Sequence, residues 1–147
     1  MSGELTGPGR TRSLSRRFVL DSFALLTLVQ DEPGAQMVED LIIAEDTEIF
    51  ISSVNLGEVL YVVQRHFGEQ AAVHVEKRIF DTPKVKVVEA SWARVKSAAS
   101  LKAGGGISYA DCFGAALAEE MDAVLVTSDP EFRRLESEGK IRVAWLS

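Results

Sequence analysis

Phe18-Val19-Leu20-Asp21-Ser22 is a short apolar run that ends on a carboxylate, and a helical pattern over Ser22 to Val29 follows it at once. A brief apolar run beside helical periodicity reads as a buried strand. The same alternation continues along the chain. Glu48-Ile49-Phe50-Ile51, Lys84-Val85-Lys86-Val87-Val88, Ala123-Val124-Leu125-Val126 and Ile141-Arg142-Val143-Ala144-Trp145 read as further strands. Helical patterns fill the gaps. Pro33 suits the first turn of a helix reaching about Ala44, and Ser52 or Ser53 can cap one that carries Leu56, Val59, Leu60, Val63 and Phe67. Gly68 breaks that helix, and another covers Glu69 to Phe80. Ser91 to Ala103 is helical and stops at Gly104-Gly105-Gly106, Ser108 opens a helix to about Met121, and Asp129-Pro130 starts a short one. Strands separated by helices need crossover connections, and these produce a parallel sheet covered on both faces. The expected fold is therefore α/β, a three-layer α/β/α sandwich around a mainly parallel central sheet of about four to five strands.

A chain of 147 residues suits one domain with a real core. Residues 17–147 carry the pattern, whereas residues 1–16 are rich in Gly, Ser, Thr and Arg and read as a disordered tail or a cloning remnant. The apolar share of 46% and charged share of 26% are ordinary for a soluble globular protein. No apolar run approaches the length of a membrane span, and no apolar stretch follows the N-terminal arginines as a secretory signal would require. The one cysteine, Cys112, has no partner for an internal disulfide, which fits a reducing, cytoplasmic location.

The net charge of −6 does not favour general nucleic-acid binding. Basic residues do cluster locally, at Arg10, Arg12, Arg16 and Arg17, at Lys84 and Lys86, at Arg94, Lys96 and Lys102, and at Arg133 and Arg134. Each cluster reads first as a solvated face and second as part of a path for RNA.

Four carboxylates stand where core-forming segments begin or end: Asp21, Glu58, Asp111 and Asp129. In open parallel sheets, ligands bind beyond the carboxyl ends of the strands. Asp21 follows the first strand and Asp129 the fourth, so both project from that edge. Glu58 lies early in the helix after the second strand, which starts at the same edge. Asp111 lies in the first turn of a helix that follows another helix, so no strand end places it. Two carboxylates about 5 Å apart repel by roughly 3 kcal/mol at an effective dielectric of 20. A pocket holding all four must take up protons or bind a cation. An all-oxygen set suits Mg²⁺ or Mn²⁺, and His66 and His74 lack the spacing of a zinc pair. Each acid also has a structural reading. Asp129 and Asp21 are natural helix caps, and Ser108 with Asp111 resembles a capping box. Glu58 caps nothing, and Arg65 is not at the spacing of a helical ion pair.

Val19-Leu20-Asp21-Ser22, Asn55-Leu56-Gly57-Glu58-Val59, Ser108-Tyr109-Ala110-Asp111 with Gly114-Ala115-Ala116, and Thr127-Ser128-Asp129-Pro130-Glu131-Phe132 occur in an order and at spacings that resemble the PIN-domain nucleases. The likeness is greatest to the VapC-type toxins of toxin–antitoxin pairs, and it covers about Arg17 to Trp145. The resemblance implies that Asp21, Glu58, Asp111 and Asp129 form a catalytic Mg²⁺ or Mn²⁺ site, with Thr127 or Ser128 hydrogen bonding to the site or its substrate. It also implies endoribonuclease activity on RNA, homodimerisation, and neutralisation by a cognate antitoxin.

Other readings make different demands. An RNA-processing nuclease that is not a toxin would share the site, and a non-catalytic RNA- or protein-binding module would share the fold. A dehalogenase-type phosphatase needs Asp-x-Asp after its first strand, where this chain has Asp21-Ser22-Phe23. A receiver domain needs a lysine after a late strand, which the Asp129 segment lacks. Neither a P-loop nor a G-x-G-x-x-G motif is present. Leu25, Leu26, Leu28, Val29, Leu41 and Ile42 on the early helices read first as core and second as a groove for a protein partner.

Overall fold

The computed structural model describes residues 15–146. Five strands form one sheet: β1 (Arg16–Leu20), β2 (Thr47–Ser52), β3 (Val85–Val88), β4 (Val124–Thr127) and β5 (Arg142–Trp145). Their order is β3-β2-β1-β4-β5 and every pairing is parallel. Seven α-helices connect them: α1 (Ser22–Val29), α2 (Ala35–Ile43), α3 (Ser53–Phe67), α4 (Glu69–Phe80), α5 (Trp92–Ala103), α6 (Tyr109–Glu120) and α7 (Arg133–Ser137). A single 3₁₀ turn, Pro130–Phe132, precedes α7.

The pleat of each strand sorts its side chains between two cores, because successive residues face opposite sides. Phe18, Leu20, Ile49, Ile51 and Val126 join Leu25, Val38, Val59, Val63, Val75 and Ile79 on one side. Val19, Phe50 and Leu125 join Ala98, Phe113, Leu117, Phe132 and Leu135 on the other. Both faces of the sheet are covered, which explains why its central strands are apolar without interruption. The three-layer sandwich expected from the sequence is the fold observed.

Small departures have local causes. Pro33 lies in the turn before α2 rather than in its first turn. Gly34, at a φ of 102°, occupies the N-cap and no β-carbon obstructs it. The first strand begins at Arg16, whose guanidinium pairs with Asp46 and whose backbone N–H donates to the Asp46 carbonyl. The expected N-terminal tail lies outside the described residues up to position 14. No helix among the described residues is long and apolar enough to cross a membrane.

The early helices use most of their apolar residues internally. Leu25 is buried, and Leu26, Leu28, Leu41 and Ile42 pack against the core. Of the six residues considered for a partner groove, Val29 is the exposed one.

The chain leaves β1 in one direction to build β2 and β3 and returns to its other side for β4 and β5. This reversal opens a crevice beyond the carboxyl ends of β1 and β4, the usual place for a ligand in a sheet of this kind.

Candidate active site

Asp21 is the first residue after β1 and caps α1, its Oδ1 accepting the Ala24 N–H at 2.8 Å. Its Oδ2 accepts the Thr127 hydroxyl at 2.5 Å. Thr127 ends β4, and its Oγ1 in turn accepts the Asp129 N–H at 2.9 Å. A single buried hydroxyl thus ties the first acidic motif to the last. Ser128, the other candidate for hydrogen bonding, is exposed and takes no part in this relay.

Asp129 caps the 3₁₀ turn through its Oδ1, which accepts the Glu131 N–H at 2.9 Å. Asp111 sits in the first turn of α6, where Ser108 Oγ accepts its N–H at 3.2 Å. The return half of a capping box is missing. The Ser108 N–H donates to Glu131 Oε1 at 3.0 Å, an acid supplied from 23 positions away. With that donor satisfied elsewhere, the Asp111 carboxylate is left for the crevice. Oxygens of Asp111, Asp129 and Glu131 lie within 4.8 Å of one another. Glu58, in the second turn of α3, accepts the hydroxyl of Ser22, the residue next to Asp21.

All four acids named from the sequence therefore lie around the crevice. Glu131 joins them, and sequence reasoning did not single it out. There it stands inside the last acidic motif with no part assigned to it. The available signal was its spacing two residues after Asp129, which places both in one tight turn.

The electrostatics are those of an unneutralised acidic pocket. Burial pushes the Asp21 carboxyl up to about 7, against the lowering effect of its bonds to Thr127 and Ala24, while Asp129 and Glu58 add repulsion. Burial likewise pushes Asp111 up to about 8, with hydrogen bonding and charge from Asp129 adding to it. No ion pair among the described residues brings a lysine or arginine to any of these five acids. The donor set consists of clustered carboxylate oxygens with no paired cation among the described residues, and it fits a hard divalent cation.

The basic clusters mostly serve the fold. Arg16 and Arg17 pair with Asp46 and Glu48, and Arg94 pairs with Glu120. Lys84 donates to the last carbonyls of α2, Lys102 to Ile107 O, and Arg134 to Gly104 O. Arg133 stacks over Trp145 at 4.6 Å. Most of these side chains are exposed as well as tied locally, in keeping with a solvated face. Burial also pushes the Cys112 thiol above its ordinary range, consistent with its place in the core.

A parallel α/β sandwich with an acidic crevice at its topological switch point is a scaffold suited to metal-assisted hydrolysis. The family model for the PIN domain matches residues 18–138, and the chain belongs to that family. It is 28% identical over 121 residues to a protein named Ribonuclease VapC from Mycolicibacterium smegmatis, across 78% of this chain and 93% of that one. Solved structures share the fold. VapBC2 from Rickettsia felis, bound to a promoter DNA fragment, superposes with a TM-score of 0.70 at 18% identity, covering 89% of this chain and 99% of that one. The Mycobacterium tuberculosis toxin VapC20, described as cleaving the sarcin–ricin loop, superposes with a TM-score of 0.68 at 16% identity, covering 80% and 93%.

Proposed function

We propose that this chain is a Mg²⁺- or Mn²⁺-dependent endoribonuclease and the toxin of a type II toxin–antitoxin pair acting in the cytoplasm. The observation that carries the reading is the convergence of Asp21, Glu58, Asp111, Asp129 and Glu131 on one crevice, where no lysine or arginine among the described residues pairs with them. The relative named Ribonuclease VapC supports an RNA substrate. Solved structures that share the fold, among them a toxin–antitoxin complex from Klebsiella pneumoniae, support a protein partner.

Asp111, Asp129 and Glu131 would hold the cation, with Asp21 and Glu58 at its margin. When bound, the cation lowers the pKa of water and neutralises charge on the scissile phosphate. The protein supplies the positioning. Thr127 and the Ala24 N–H occupy one Asp21 oxygen each and fix that carboxylate in place. The Ser22 hydroxyl orients Glu58, and the Glu131 N–H holds Asp129. The raised carboxyl pKa values mean that the pocket exchanges protons for the cation near neutral pH.

Incubating the purified protein with a mixed RNA pool tests the proposal. Cleavage with Mg²⁺ or Mn²⁺ that stops in excess EDTA supports it, and intact RNA with either metal overturns it. Growth arrest on expression, relieved by a small protein encoded next to it, separates a toxin from a processing nuclease. A homodimer in solution is expected with it.

A further inference from the structure

Asn55 belongs to the second acidic motif, yet none of the functions above uses it. It is fully buried near the start of α3, one helical turn before Glu58. Residues three apart on a helix share a face. Its Nδ2 donates to the Ala110 carbonyl at 3.0 Å, on the residue immediately before Asp111. This is a direct tie between the helix that carries Glu58 and the one that carries Asp111. Its Oδ1 has no hydrogen-bond partner. Exchanging the two amide atoms would set oxygen against oxygen at Ala110, so the donor contact fixes the orientation.

The tie needs room on α6, and Gly114 provides it. A β-carbon at Gly114 would lie 3.1 Å from Asn55 Oδ1 and 3.8 Å from Asp21 Cβ. A bare α-carbon lets the Asn55 amide and Asp21 flank the same point of α6. Asn55 therefore stands where the elements carrying Asp21, Glu58 and Asp111 meet. A buried amide with an unsatisfied oxygen is a poor choice for filling space, because an acceptor without a donor is costly to desolvate. A leucine of similar size would fill the site without that cost.

We propose that Asn55 is a positioning residue for the cation site: its amide sets the spacing between Glu58 and Asp111, and Gly114 is the socket that admits it. The inference rests on the cation-binding reading above.

Calorimetric titration of Mn²⁺ tests it, alongside melting curves in EDTA. Asn55→Leu should weaken Mn²⁺ binding by about tenfold while unfolding remains cooperative, in line with other supports of metal ligands. Gly114→Ala should weaken binding in the wild-type background. In an Asn55→Ala background it should add less than about twofold, because the atom it would crowd is gone. Folded Asn55→Leu protein with wild-type affinity overturns the inference. If Asn55→Leu does not fold, the glycine substitution decides: full affinity in Gly114→Ala, or an equal penalty in both backgrounds, overturns it too. A wild-type protein that binds no Mn²⁺ overturns the cation-binding reading itself, and is distinct from one that binds normally and ignores these substitutions.

Discussion

Thr127 Oγ1 donates to Asp21 Oδ2 at 2.5 Å across 106 positions of sequence. The same hydroxyl accepts the Asp129 N–H. One β-branched side chain at the end of a central strand therefore sets the relation between the first and last acids of the crevice.

Thr127→Val keeps the shape of the side chain and removes the hydroxyl. It leaves the Asp129 N–H without its acceptor, at a stability cost of about 1–3 kcal/mol. It also removes a donor that lowers the Asp21 pKa, so that carboxyl rises further. The alkaline shift in the pH at which cleavage reaches half its maximum can be read from a rate profile. An unchanged profile would show that the hydroxyl does not tune Asp21.

Asp111→Asn and Asp21→Asn each remove an acid from the site. Cleavage should fall by about a hundredfold or more, the scale of losing one preorganised electrostatic group. The fold should persist, because neither substitution alters volume. Circular dichroism and single-turnover RNA cleavage check the two halves, and full activity in either variant contradicts the assignment.

The raised pKa values fix how stability without metal responds to pH. The ordinary carboxyl value of 3.8 applies to the unfolded chain, whereas folding lifts Asp21 to about 7 and Asp111 to about 8. Between these limits the folded chain holds protons that the unfolded chain has released. Stability in EDTA is therefore greatest at the acidic end of that window and falls as pH rises through it. A drop in melting temperature of at least about 5 °C between pH 5 and pH 8 is expected. Asp46, held below its ordinary range by Arg16, titrates below that window and does not offset the trend. Asp111→Asn should flatten the profile, and Mn²⁺ should restore stability most at pH 8.

Glu131 has two roles that substitution can separate. Glu131→Gln keeps an oxygen for the Ser108 N–H and removes the charge. Glu131→Ala removes both, and should cost about 1 kcal/mol more in stability through the lost bond. If Glu131 holds the cation, both variants weaken Mn²⁺ binding by a similar factor. Weakening in the alanine variant alone would leave Glu131 as a cap for α6.

Much of this was legible in the sequence for physical reasons. Parallel strands buried on both faces need unbroken apolar runs, so β1, β2 and β4 announce themselves. Gly68, Ser91 and Ser108 mark helix boundaries because helix ends have unsatisfied backbone groups. Asp21 and Asp129 were placed by the strand-end rule. Asp111 was not, since α6 follows a helix. Its position depends on the bonds from Glu131 to Ser108 and from Asn55 to Ala110. Those contacts join distant segments, and hydrophobic periodicity does not record them. For the same reason Glu131 goes unnoticed, and the capping-box reading of Ser108 with Asp111 holds only for the bond from the Asp111 N–H to Ser108 Oγ.

The central claim is that these carboxylates share one cation. A crystal soaked in Mn²⁺ and measured for anomalous scattering at the manganese edge tests it most directly. The predicted result is a strong peak within bonding distance of oxygens from Asp111 and Asp129, with Glu131 completing the protein ligands. A well-ordered, Mn²⁺-soaked crystal with no peak in the crevice, or with its peak elsewhere, would contradict the account.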